Sequence, residues 1–253
     1  MSAEQLVSKA PQGTPEPDHG DVFTMVVAHA DDNLVVSHRL GELISNAPEL
    51  EIDIALGNTA LDHLGVARAL YTYAGQIEGM GRGEDELAMF RSEREFTNLL
   101  LTEQPNGDFA HTIVRQFLFD AYQLQLWTDM AGWDDETISG IAEKALKEAS
   151  YHLRFSSGWV MRLGDGTAES HERTKNAAKE LWKYTAEMFE GERASLRSGW
   201  EATVSTVFDG ATLTIPEDPY QRTGGRSGFH TEHLGLLLAE MQWMQRSYPG
   251  LQW

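Results

Sequence analysis

An all-α bundle is the fold the sequence predicts, and three observations predict it. From about residue 21 to 248 the apolar residues recur at spacings of three and four, the period of one helix face. The Gly, Pro and Asn clusters fall between long segments rather than short ones, which suits helices of many turns. At 253 residues and 41% apolar content the chain is long enough to bury an ordinary globular core.

The elements follow in order. Residues 1–20, ending in APQGTPEPDHG, have little periodic apolar content and read as a flexible N-terminal tail, leaving 21–253 as one helical domain. A first helix over 21–45 stops at SNAP, because Pro48 disfavours helical geometry in the residue before it. Glu49 and Glu51 suit the next N-terminus, and a helix over 49–76 is roughly 40 Å long at 1.5 Å per residue. A helix over 84–103 ends at the turn signal Pro105-Asn106-Gly107, and Asp108 can cap the helix that follows to 130. Asp134, Asp135 and Glu136 place acids where the next helix dipole is positive, and that helix continues to Gly164 or Gly166. Additional C-terminal helices are expected near 168–190, 193–208 and 231–247. The Pro- and Gly-rich DGATLTIPEDPYQRTGGRSGF between the last two reads as a long ordered loop or lid.

Composition narrows the chemistry. The absence of Cys excludes disulfides, thiolate nucleophiles, iron–sulfur clusters and thiolate zinc sites together, so any metal needs carboxylate and imidazole ligands. A formal charge of −19, from 39 Asp plus Glu against 20 Lys plus Arg, repels a phosphate backbone, so no nucleic-acid partner is expected. No run of roughly 18 apolar residues is present to cross a membrane, and no short apolar signal core stands near the N-terminus; a soluble cytoplasmic protein is the expectation.

Carboxylates interrupt the apolar stripes. In the second helix Asp62 occupies a gap in the stripe Ile52, Ala55, Thr59, Val66, Ala69 and Tyr73. Asp120 interrupts Phe109, Ile113, Phe117, Leu124 and Trp127, and in the following helix Ile138, Ile141 and Ala145 lead to Glu148 and His152, then Phe155 and Trp159. Unpaired buried carboxylates are costly, so insertions on neighbouring helices call for a shared explanation. Ferritin-like di-iron bundles supply one, drawing one Glu from each of two helices and Glu-x-x-His from each of the other two. Set on that pattern, Glu42, Asp62, Asp120 and Glu148 come from successive core helices. Glu42 stands at the edge of its stripe and equally suits a solvated acid.

The expected histidines are missing: Gly65 stands three residues after Asp62 and Tyr151 three after Glu148. His63 lies about 100° off the Asp62 face, while His152 follows Glu148 by four and can point inward. The reading is a degenerate di-iron site without functional iron. Its groups then form a buried hydrogen-bond network, with His152 and Arg39, Lys144 or Lys147 as cation. The alternative keeps two metal ions on Glu42, Asp62, Asp120, Glu148 and His152 and makes the chain itself a di-iron oxygenase.

The segments APELEIDIALGNTALDHLGVAR, TNLLLTEQPNGDFAHTIVRQFLFDAY, KEASYHLRFSSGWVMRLGDGT and YQRTGGRSGFHTEHLGLLLAEMQWMQ resemble the C subunit of phenylacetyl-CoA epoxidases, from about residue 30 to 253. The resemblance implies a ferritin-like fold and a non-catalytic structural subunit. It implies pairing with a catalytic A subunit that carries the di-iron centre, alongside the complex's other subunits and an NADPH-dependent reductase. The reaction it implies converts the ring of phenylacetyl-CoA to its 1,2-epoxide in aerobic phenylacetate catabolism. No cofactor is then expected in this chain, and no catalytic residue is carried over.

Two further features have competing readings. Arg222, Gly224, Gly225, Arg226 and His230 can form a cradle near a coenzyme A phosphate or a partner interface; the same stretch also suits a glycine-permitted turn with Thr231 as helix cap. The neighbours Glu232-His233 and Asp62-His63 diverge on a helix and are not chelates. Trp127, Trp159, Trp182 and Trp243 fall on helical stripes and are expected in the core.

Overall fold

The computed structural model describes residues 19–217 and 220–250. All but the last two residues of the expected 1–20 tail therefore lie outside the described residues. The architecture is all-α and ferritin-like, with no strand among the described residues. α1 (His19–Gly41), α2 (Leu50–Glu78), α4 (Phe109–Met130) and α5 (Glu136–Gly164) form the bundle, α3 (Glu84–Met89) being a short helix between them. α1 packs along α2, α4 along α5, and α2 meets α5, which joins the two pairs. α6 (Ala168–Trp182) and α7 (Arg197–Gly210) cover α4 and α5, and α8 (Glu232–Met241) and α9 (Trp243–Ser247) end the described chain. No helix among the described residues is long and apolar enough to cross a membrane.

Local chemistry sets the ends of these helices. The Asp108 side chain accepts from the N–H of His111 at 2.9 Å, and Asp135 accepts from Thr137 and Ile138, each at 2.9 Å, satisfying donors that the first turn leaves unpaired. Thr167 caps α6 through Ser170 at 3.1 Å. α5 stops at Gly164, one of the two expected positions, where a Cβ would collide with the Ala211 carbonyl.

The helix expected over 84–103 is the main departure. α3 ends at Met89, a 3-10 turn spans Glu93–Glu95, and the chain then runs irregularly to Asp108. The cause is tertiary. Buried carboxylates take backbone donors that a helix would spend on its own carbonyls: Thr97 N–H goes to Asp31 at 2.8 Å, Leu99 N–H to Asp32 at 2.7 Å and Leu100 N–H to Glu187 at 2.8 Å. Likewise the helix expected over 231–247 breaks at Gln242, whose amide donates to the carbonyls of Ala88 and Arg91, each at 3.0 Å. The break turns Trp243 outward to 61% exposure, which corrects its expected place in the core, whereas Trp127 is buried as expected.

α1 is enclosed nearly all round from Val26 to Leu40, so that Asp31, Asp32 and Asn33 are wholly buried. Asp31 pairs with Arg91 and Asp32 with Arg226, the latter at 2.6 Å. Removing one partner of a buried ion pair leaves an uncompensated charge and costs about 3–5 kcal/mol. Arg91→Met is therefore expected to lower the unfolding free energy at pH 7 by that amount. Urea denaturation followed by circular dichroism checks it, and a midpoint equal to that of the parent protein would count against a stabilising role for the pair.

Candidate functional site

The polar centre of the bundle is built by one or two residues from each long helix. α1 supplies Asn33, α2 supplies His63, α4 supplies Gln116 and Asp120, and α5 supplies His152 and Ser156, all of them buried. Asn33 donates its amide to the His29 carbonyl at 2.8 Å, so its oxygen faces His63 Nδ1 at 2.8 Å and the proton of that imidazole lies on Nδ1. His63 Nε2 is then an acceptor, and Gln116 Nε2 stands 3.2 Å away with one hydrogen to give. The other hydrogen of the same amide goes to Asp120 Oδ1 at 2.6 Å, and the Ser156 hydroxyl donates to Asp120 Oδ2 at 2.7 Å. His152 Nε2 lies 3.0 Å from Asp62 Oδ2.

Burial decides the protonation states. It drives the His63 pKa well below 6.5, with the neighbouring His152 adding to the effect, so His63 is neutral. Burial likewise pushes Asp120 up from 3.8 to about 6, against the charge of His152 and the bonds from Ser156 and Gln116.

One donor atom each from His63, Asp120 and His152 lies within 4.8 Å of the others. Two imidazoles and one carboxylate suit one ion at most, and a di-iron centre needs carboxylates from several helices. Here α1 offers only the neutral amide of Asn33 beside His63. Gln116 already engages both His63 and Asp120. The space between Asn33, Asp62, His63, Glu148 and His152 is about 10 Å³, roughly one water and too little for two ions with their oxygens. The residues present do not fit a pair of irons.

The expected positions fare unequally. Asp120 and His152 are buried and meet in the centre. Asp62 reaches it only through His152, its own side chain being 38% exposed. The inward face of α2 carries Leu56, His63 and Leu70 rather than Ala55, Asp62 and Ala69, a one-residue error of helical phase. The larger apolar side chains at 56 and 70 were the available signal. Glu148 sits at the edge, 3.7 Å from Lys144, with burial raising its pKa. Glu42 does not join them: it lies beyond the end of α1, against Arg39 at 2.9 Å and Asn106 at 3.2 Å. Of the expected cations His152 is there, but Arg39, Lys144 and Lys147 do not enter. Arg39 is held by Glu42 and the Glu103 carbonyl, Lys144 is exposed on Glu148, and Lys147 is exposed.

The glycine-rich stretch proves to be an internal strap. Gly224 and Gly225 N–H groups donate to Glu187 Oε1 at 2.9 and 2.6 Å, and Arg226 binds Asp32 and the Thr97 carbonyl, the latter at 2.7 Å. His230 bridges Glu103 and the Phe96 carbonyl, each at 2.8 Å, and Thr231 caps α8. Burial alone would lower the His230 pKa, but the Glu103 carboxylate outweighs it and the net shift is upward. These donors are committed within the chain, and only Arg222 of the set is exposed. Gly225 is required by packing, since a Cβ would collide with the Asn98 carbonyl.

Comparison with known proteins gives two findings. The family described as "Phenylacetic acid catabolic protein" matches residues 1–253. The chain is also 48% identical over 237 residues to the C subunit of the 1,2-phenylacetyl-CoA epoxidase of Escherichia coli (strain K12), an alignment covering 88% of this chain and 95% of that protein.

Asp120 provides a test of the centre. Its pKa is raised in the folded state, so its contribution is most favourable below about 4 and is lost as pH rises through about 6. Asp120→Asn removes that dependence. Relative to the parent, the variant is expected to gain stability progressively from pH 4 to pH 7, by about 3 kcal/mol over the window. Urea unfolding across that range measures the difference; a flat difference would refute the raised pKa.

Proposed function

The chain belongs to the phenylacetic acid catabolic protein family, and from that premise we propose that it is the non-catalytic, structural subunit of a multicomponent phenylacetyl-CoA 1,2-epoxidase. In this reading it pairs with a related catalytic A subunit, which carries the di-iron centre. The oxygen chemistry takes place there, with electrons from an NADPH-dependent reductase, and this chain contributes no cofactor.

The observation that carries the reading is a polar centre whose imidazole and carboxylate are held by amides and a hydroxyl of the chain itself, Gln116 Oε1 being left without a partner among the described residues. Where a ferritin-like oxygenase gathers carboxylates and imidazoles around two ions, this chain has Asn33, Gln116 and Ser156 donating to and accepting from His63 and Asp120. In this reading no step of the epoxidation runs through that centre. What the residues do is hold four helices in register at the level where a catalytic relative would place its metal.

The surface agrees with a subunit role. Leu50, Ile54 and Leu61 are exposed along α2, beside a groove of about 660 Å³ lined by Leu34, Ile44, Leu64 and Met241. Such contiguous apolar surface rimmed by charge is typical of subunit interfaces.

Two measurements test the proposal. Iron content per chain, after reconstitution with ferrous iron, is expected near zero; about two irons per chain would overturn it. In the assembled complex Asp120→Asn is expected to leave epoxidation per catalytic subunit within about twofold, since losing a group that takes part in proton transfer costs about 10²–10⁴. A loss of that larger size in an intact complex would make this chain catalytic.

A further inference from the structure

A cavity of about 350 Å³ lies between the N-terminal half of α1, the C-terminal end of α4 and the 3-10 turn Gly191–Leu196. It is separate from the polar centre and shares none of its residues. Its volume falls at the lower end of the range that takes small molecules, and its lining is mostly apolar, with Met25, Leu126, Trp133 and Leu196 supplying the greasy surface.

The polar part of the wall is unusual in its charge balance. Arg226 contributes to it, but although its Nε has no partner among the described residues its terminal nitrogens are matched by Asp32. His29 contributes an imidazole that burial holds near pKa 4, hence neutral, and its Nδ1 has no hydrogen-bond partner among the described residues. Arg193 is different. It is half-buried, and among the described residues its guanidinium forms no hydrogen bond or ion pair, Nε being buried without a partner. The acids nearby do not answer it: Asp129 accepts from the Trp133 indole at 3.1 Å, and Glu190 and Glu192 are exposed at the rim. A buried Nε–H without an acceptor is costly unless something completes it.

We propose that this cavity binds a small organic monocarboxylate with an apolar, preferably aromatic, body, its carboxylate on Arg193 and its ring against Leu126 and Trp133. Arg193 is the arginine of this wall without an ion pair among the described residues, and Asp129, Glu190 and Glu192 on the same lining oppose any negative charge beyond one. The apolar wall sets the rest: an inorganic anion would leave most of the cavity unfilled, and a neutral isostere would leave Arg193 unpaired. The inference concerns a site away from the bundle centre and holds whether or not the chain is a structural subunit.

Isothermal titration calorimetry of the full chain with benzoate tests it. Benzoate is expected to bind with a dissociation constant of about 1 mM or tighter. Benzamide, the uncharged isostere, and acetate, the anion without the ring, are each expected to bind at least about tenfold more weakly. Arg193→Gln is expected to weaken benzoate about tenfold or more while leaving the ligand-free urea midpoint unchanged, because Arg193 has no partner to lose. Arg193→Lys recovers part of the affinity. Absence of binding by the parent chain at about 10 mM benzoate would overturn the proposal. So would equal affinity of Arg193→Gln and the parent, or of benzamide and benzoate. Acetate or chloride binding as tightly as benzoate would reduce the site to a simple anion contact and would equally overturn it.

Discussion

Asp31 and Asp32 are neighbours on α1, they point about 100° apart, and neither reaches solvent. A helix carrying two adjacent carboxylates can be enclosed only if each direction supplies a cation and hydrogen-bond donors, because a buried carboxylate without them costs several kcal/mol or gives up its charge. Arg91 and Tyr71 answer Asp31, and Arg226 answers Asp32 strongly enough to lower its pKa against the effect of burial. The remaining lone pairs are met by backbone N–H groups of Thr97 and Leu99. The irregular segment after α3 is therefore shaped by the acids it covers.

The same arrangement repeats outward. Glu187 gathers the N–H groups of Leu100, Gly224 and Gly225, and Glu103 gathers His230 and Thr231. Four buried carboxylates thus bind the segments that have no helical bonds of their own onto the bundle. Apolar contacts alone would not choose among the sliding positions open to a non-helical strap; a carboxylate that needs two N–H groups at fixed geometry does. The net stabilisation from such pairs is small once desolvation is counted, so their consequence is the choice of one docking arrangement.

This explains which parts of the molecule were legible in the sequence. Helical periodicity and caps report local preference, and they located α4 and α5 closely, with Asp108, Asp135 and Gly164 as markers. Asp120 was legible because it interrupts an otherwise apolar stripe. His63 was less so, since a one-residue choice of phase on α2 moves Asp62 inward and His63 aside, and only Leu56 and Leu70 against Ala55 and Ala69 separate the two phases. Asp31 and Asp32 were read past for a different reason: an acidic pair on a helix ordinarily marks its solvated face. Its enclosure depends on Arg91 and Arg226, the second nearly two hundred residues away in sequence. The broken 84–103 helix fails for the same long-range reason.

The centre and the strap resolve buried polarity in opposite ways. Around α1 the carboxylates keep their charge and are matched by arginines. At the level of His63 a second cluster of acids from each helix would repel itself unless a metal ion or arginine neutralised it. The chain instead has one carboxylate there, with burial raising its pKa, two imidazoles, two amides and a hydroxyl. Amides and hydroxyls both donate and accept, so they link the imidazole and the carboxylate without a further charged side chain, with Gln116 Oε1 left over. A bundle so built spreads its central polarity over amides, imidazoles and a hydroxyl rather than over a cluster of carboxylates.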